Sequence, residues 1–183
     1  MATVVVVGDG PAGLSAALFL AKNGQDVVVF AQDETAMHYA YLYNYLGIEE
    51  IAGTEFQGIA RRQVQRFGAR LREDKVASIR RDGRAFVVDT DGGAQQEADY
   101  VVLAGARASV ILAQELGADI EEGAVRVDAN QASSLDRLYA AGRIVRPHRS
   151  QAVISAGAGA VAALDILSRE AGKDVHDWDT PPE

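Results

Sequence analysis

Four consecutive β-branched residues, Val4-Val5-Val6-Val7, begin the apolar pattern of the chain. An unbroken run of this kind predicts a strand buried on both faces. The apolar positions then move to helical spacing, with Leu14, Ala17, Leu18 and Ala21 on one side of a helix predicted over Leu14–Asn23. Gly24 stands where a helix end favours a left-handed residue. Val27–Phe30 repeats the buried-strand pattern, so strand, helix and strand form a βαβ unit with parallel strands. A second helical spacing, through Phe56, Ile59, Ala60, Val64 and Phe67, predicts a helix from Gly53 or Thr54 to Phe67.

Beyond it the pattern changes. Asp82-Gly83 and Gly92-Gly93 are hairpin signals that separate Val76–Arg81, Arg84–Thr90 and a third run from Ala94, an antiparallel meander. Tyr100–Ala104 is again continuous and apolar, and Ala108–Leu116 is helical in spacing and closed by Gly117. Val125–Val127 and Leu138–Ala141 are predicted as short strands. A last helix, starting within Ser150–Gly159, runs through Leu167 to Ala171-Gly172. The expected fold is α/β: a doubly wound, Rossmann-like parallel sheet with a three-stranded antiparallel β-meander. It is expected as one domain over residues 1–170, followed by an acidic tail over residues 171–183.

Length agrees with one domain, since 183 residues fall within the usual ~100–200. The chain has no cysteine, which excludes a thiol nucleophile, a thiolate zinc site and an iron–sulfur cluster. Its net charge of −8 would repel phosphate backbones and anionic lipids, so no nucleic-acid or membrane partner is expected. No apolar run approaches the ~18–20 residues of a membrane span, and the first residues lack a signal-peptide layout; a cytoplasmic location is expected. His38, His148 and His176 are too scattered for metal-ligand spacing, so no metal is expected.

The candidate chemistry begins at Gly8-Asp9-Gly10-Pro11-Ala12-Gly13, directly after the first strand. Gly-x-Gly-x-x-Gly between strand and helix is the dinucleotide fingerprint in its required context. Gly8 permits the tight turn, Gly10 lets backbone approach a diphosphate, and Gly13 lets the helix close on the sheet. The helix start then offers unpaired amides and the positive end of its dipole, and Pro11 suits the first helical position. The usual companion is an acid at the end of the second strand. Here that strand ends at Ala31 followed by Gln32; Gln32 is a weak substitute, and Asp33 would have to reach in from a loop.

Three later segments carry a family resemblance. Asn44-Tyr45-Leu46-Gly47 with Gly53-x-Glu55-Phe56 and Arg66-Phe67-Gly68-Ala69 resembles the loop and helix after the second strand of thioredoxin reductase-like flavoproteins. Tyr139-Ala140-Ala141-Gly142 resembles that family's second FAD fingerprint, and Gln151 to Leu164 its flavin-facing last helix. The meander, entered through Asp74-Lys75-Val76, lies where the family has one. The resemblance implies an FAD-binding domain of the thioredoxin reductase type in the pyridine nucleotide-disulfide oxidoreductase superfamily. It extends the FAD contacts to Asn44, Val76, Ala104, Gly105, Gly142, Arg143, Gln151 and Ala152. It also implies a homodimer.

The departures shape the function. The family's NADPH domain, inserted after the strand ending near Ala104-Gly105, is replaced by the short stretch from Arg107 to Gly117. The redox cysteine pair belongs to that domain, so thioredoxin reductase activity is not expected. The acid that the resemblance places after Gly142 is Arg143, and the often basic position before Gln151 is Ser150. Losing two charged hydrogen bonds, each worth ~1.5–3 kcal/mol, would weaken FAD by roughly two to four decades. Two readings follow: a single-domain flavoprotein oxidoreductase or electron-transfer protein served by a diffusing nicotinamide dinucleotide or a partner protein, and a degenerate relative acting as an interaction or regulatory module. No general acid or base is singled out. Tyr39, Tyr41, Tyr43 and Tyr45 would share a face if extended, stacking on the flavin or, preferably, packing on the neighbouring helix or a second copy. Arg143, Arg146, His148 and Arg149 form a basic cluster suited to a diphosphate or an anionic substrate, or equally to a solvated loop. Arg143→Asp, restoring the family's acid, should tighten FAD in a titration followed by flavin absorbance; unchanged or weaker binding would remove that role from the position.

Overall fold

A computed structural model describes residues 1–180. The first strand, β1 (Thr3–Val7), enters helix α1 (Pro11–Lys22) through the glycine turn, and β2 (Asp26–Phe30) completes the unit. A single 3-10 turn at Ala36–Tyr39 leads to the short pair β3 (Tyr41–Leu42) and β4 (Ile51–Ala52), then to α2 (Gly53–Arg66) and β5 (Arg70–Arg72). The meander is β6 (Val76–Asp82), β7 (Ala85–Thr90) and β8 (Gln95–Ala98), followed by β9 (Tyr100–Leu103) and α3 (Arg107–Leu116). The hairpin β10 (Ile120–Glu121) and β11 (Ala124–Val125), strand β12 (Leu138–Ala140) and α4 (Ala152–Ala171) complete the order.

The main sheet runs β12-β9-β1-β2-β5 with every neighbouring pair parallel. Strand order therefore reverses between β1 and β9, the switch point at whose carboxyl edge open α/β sheets bind ligands. The pleat divides the β-branched runs between two cores. Val4, Val6, Val27 and Val29 face α1, α2 and α4, while Val5, Val7, Val28 and Phe30 face the meander and α3. Burial on both sides is why these strands are continuous rather than alternating in sequence.

Two kinds of contact hold α4 in place, one between backbones and one through side chains. A β-carbon on Gly159 would lie 2.0 Å from the carbonyl oxygen of Ala12, so α4 meets α1 backbone to backbone. The tyrosines of the sheet anchor the far end of α4: Tyr100 donates to Glu170 at 2.8 Å and Tyr139 to Asp165. Burial and the adjoining carboxylate push the Tyr100 phenol up to about 12, and the same causes push Tyr139 higher still, so both remain hydrogen-bond donors.

Several expectations are corrected. α1 starts at Pro11 rather than Leu14, because the glycine motif itself supplies its first turn. Strand β5 has no counterpart in the sequence reading. It is three residues long with exposed Arg70 and Arg72, the charged short strand that guards a sheet edge. Val127 lies outside β11 and makes only an isolated bridge to Ser133. The four tyrosines do not share a packed face. The 3-10 turn breaks the extended run, Tyr45 packs on Phe56 at 5.4 Å, and Tyr41 and Tyr43 stack on each other at 4.8 Å in the open. The apolar-run expectation is also corrected: α4, at 20 residues, is long and apolar enough to cross a membrane by length and composition. Its Ala162, Ala163 and Ile166 are buried in the helical layer of the core. The acidic tail is tied down by Asp177 and Asp179, which both accept from Lys22 of α1; Pro181, Pro182 and Glu183 lie outside the described residues.

The α1–α4 contact gives a paired prediction. Gly159→Ala should destabilise by ~1–3 kcal/mol, the usual cost of overpacking, because the helices must part. Gly157→Ala, which meets nothing within 4 Å, should stabilise by ~0.5–1 kcal/mol. Urea unfolding of the two variants checks both signs.

Candidate functional site

At the switch point lies a cleft of about 410 Å³. Its floor forms where backbones approach each other too closely for side chains. Gly8 adopts φ +105°, and a β-carbon there would stand 2.7 Å from the backbone of Gly105. A β-carbon on Gly13 would lie 1.9 Å from the carbonyl oxygen of Gly8. Gly10 differs: its φ of −70° suits any residue, and an added β-carbon would meet only the Thr35 hydroxyl, at 3.6 Å. Gly10 therefore keeps space open, whereas Gly8 and Gly13 hold the fold closed.

Three helices begin at this cleft. Pro11 and Ala12 of α1 with Gly10 before them, Ala108 and Ser109 of α3 with Ala106 before them, and Ala152 and Ser155 of α4 all line it. None of the three has a side-chain cap, and none carries an acid in its first turn. Apart from that of Ser109, which donates to the Ala106 carbonyl at 3.0 Å, their first-turn amides lack intrahelical partners, and the positive ends of three dipoles converge on one space. Helix α2, which does not open onto the cleft, carries Glu55 in its first turn. Omitting a cap costs about 1 kcal/mol per helix; the arrangement suits an anion.

Of the residues singled out from the sequence, Gly8, Gly10, Pro11, Ala12, Gln32, Val76, Ala104, Gly105, Gly142, Arg143 and Ala152 line the cleft. Gly13 lies beneath it as packing, and Ala31 is wholly buried because its backbone continues the sheet, donating to Arg72. Asn44 and Gln151 are exposed outside the cleft wall and bond each other, the Asn44 amide donating to Gln151 Oε1 at 3.0 Å. The unpaired amides of α4 are at Ala152, since Gly159 sits inside the helix against α1.

Two acids escaped the sequence reading. Asp33 is drawn away from the cleft: at φ +53° it faces His38 Nε2 at 3.1 Å and Arg61 at 3.7 Å. Glu34 lines the cleft instead, on the β2 side where the fingerprint expects its acid. The turn through Asp33, which shifts the acid by one residue, has no sequence signal of its own. Asp9, inside the glycine motif, is buried to 4% exposure. Its backbone carbonyl accepts from Gln57 at 2.6 Å, and its carboxylate accepts from Gln57 at 3.1 Å and from Arg61. Arg61 also reaches Glu73. The loop holding the fingerprint is thereby pinned to α2 and to the segment after β5.

Comparison with known proteins agrees with this architecture. The sequence profile of the pyridine nucleotide-disulphide oxidoreductase family matches over residues 2–104 and 46–160. The thioredoxin reductase of Streptomyces coelicolor is 32% identical over 105 residues, covering 55% of this chain and 33% of that protein. That of Mycolicibacterium smegmatis is 28% identical over 160 residues, covering 85% and 47%. The chain thus spans a third to a half of the length of these curated relatives. The crystal structure of an atypical thioredoxin reductase from Desulfovibrio vulgaris Hildenborough superposes with a TM-score of 0.84 at 18% identity, over 94% of this chain and 99% of that one. The chain belongs to the pyridine nucleotide-disulphide oxidoreductase family and has the fold of the FAD-binding domain of thioredoxin reductases.

Burial outweighs Arg61 and raises Asp9 above the ordinary carboxylate value of 3.8. In acid, below that value, Asp9 is protonated in both folded and unfolded chains. As pH rises the unfolded chain ionises first, so the cost of this group to folding grows until its folded-state value is passed and stays constant above it. Asn cannot ionise. The stability of the wild type relative to Asp9→Asn should therefore fall as pH rises above about 3.8 and then level off, as read by urea unfolding over a pH series; a rise would mean that the Arg61 pairing dominates.

Proposed function

We propose that the chain binds FAD in this cleft and acts as a flavin-dependent oxidoreductase or electron-transfer protein without thioredoxin reductase activity. The observation that carries the reading is the convergence of three uncapped helix starts on the space that Gly10 leaves free. Such a site fits a diphosphate better than it fits any neutral group. In this reading the α1 start takes the diphosphate, and Glu34, assisted by Gln32, accepts from the adenosine ribose hydroxyls. Val76, Ala104, Gly105 and Gly142 flank the bound nucleotide. When bound, FAD supplies the redox chemistry; the chain orients it, and the amides at Ala152 offer donors to negative charge arising nearby. Its reductant is a diffusing nicotinamide dinucleotide or a partner protein. A second copy of the chain is the proposed cover for the exposed Tyr39, Tyr43 and Leu46.

Arg143 supports a second reading. It stands at the cleft wall where the resemblance places an acid, which favours a relative that holds FAD loosely or not at all and serves as an interaction or regulatory module. A flavin absorbance band after adding FAD to the purified protein favours the first reading; a colourless protein with no thermal shift leaves only the second.

Gly10→Val should fold as the wild type does, since its backbone suits any residue, yet lose FAD because the side chain fills the diphosphate space. Glu34→Ala should weaken FAD by about tenfold, one charged hydrogen bond. Absorbance titration measures binding and circular dichroism the fold; full FAD affinity in Gly10→Val would refute the placement.

A further inference from the structure

A second depression, of about 350 Å³, adjoins the flavin cleft. Its apolar wall comes from Val110 and Ile111 of α3 and from Ile144 and Pro147 after β12. Ile111 is 47% exposed there, a large aliphatic side chain open to solvent. Arg107, the first residue of α3, and Arg143 line the same depression from different segments. Among the described residues neither Arg107 nor Arg143 forms an ion pair, so both guanidinium groups are open to a ligand. Glu121, on the hairpin bordering the depression, is engaged by Arg126. In a chain of net charge −8, two arginines without carboxylate partners thus border one apolar hollow.

We propose that this depression binds a small organic anion, an apolar body carrying a carboxylate, sulfonate or phosphate group. The apolar body lies on Val110, Ile111, Ile144 and Pro147. The anionic group is held by Arg107 and Arg143, whose planar guanidinium forks match such oxygens. Arg143 and Ala106 line both spaces, so the anion would sit beside the flavin cleft but outside it. The site does not depend on FAD being bound.

The test uses naphthalenesulfonate and its neutral sulfonamide, titrated calorimetrically into the purified full chain. Arg107 is the residue to vary, because it is exposed and lines only the second depression. Arg107→Gln should weaken the sulfonate by about three- to tenfold and leave the sulfonamide unchanged. Arg107→Lys should recover part of the loss, and Arg149→Gln, outside the depression, should have no effect. The proposal is overturned if Arg107→Gln leaves the sulfonate affinity intact, or if it weakens sulfonate and sulfonamide alike. It is also overturned if saturating FAD displaces the sulfonate completely, which would put the probe in the flavin cleft. Failure of the protein to bind FAD at all sinks the flavin reading and leaves the Arg107 result standing.

Discussion

The backbone contact between α1 and α4 is the constraint on which the rest of the site depends. With no side chain at Gly159, the last helix rests on the carbonyl of Ala12. That carbonyl belongs to the first turn after the glycine loop, so the contact fixes the start of α1 relative to the start of α4. Ala12 in turn touches Gly142, where a β-carbon would approach within 2.9 Å. Ala12, Ala104, Ala141 and Ala158 form a small buried cluster under the cleft. Small residues set the geometry here because only they allow helix starts and strand ends to come so close.

Once the helix starts are gathered, their electrostatics follow. Three sets of unpaired amides and three positive dipole ends point into one space. None of these three helices has a side-chain cap or a first-turn acid, whereas α2 carries Glu55 in its first turn. The folded chain therefore gives up local helix stability at the cleft, and an anion bound there recovers it. The buried Asp9–Gln57–Arg61 network serves the same end from below: it holds the glycine loop without placing a cap on α1.

The charge distribution sharpens the contrast between the two sides of the cleft. On the β2 side the acids are committed or aimed, with Asp9 paired to Arg61, Asp33 to His38, and Glu34 open to the cleft. On the β12 side, Arg143, Arg146 and Arg149 have no acidic partners among the described residues.

The sequence by itself determined the layers, the parallel strands and the fingerprint loop, because continuous β-branched runs, helical spacing and the glycine triplet are local signals with one physical meaning each. It also carried the meander, through Asp82-Gly83 and Gly92-Gly93. Tertiary structure decided what depends on direction and distance. Strand β5 is too short and too charged to announce itself. Asp33 and Glu34 are neighbours in sequence, yet only the left-handed turn at Asp33 decides which of them faces the cleft. Asn44 and Gln151 bond each other across a span no sequence pattern reveals, and Gly159 proved to be a helix-packing residue because its neighbour in space is Ala12. Periodicity records which face is buried; which atoms meet across that face is settled only when separate elements pack.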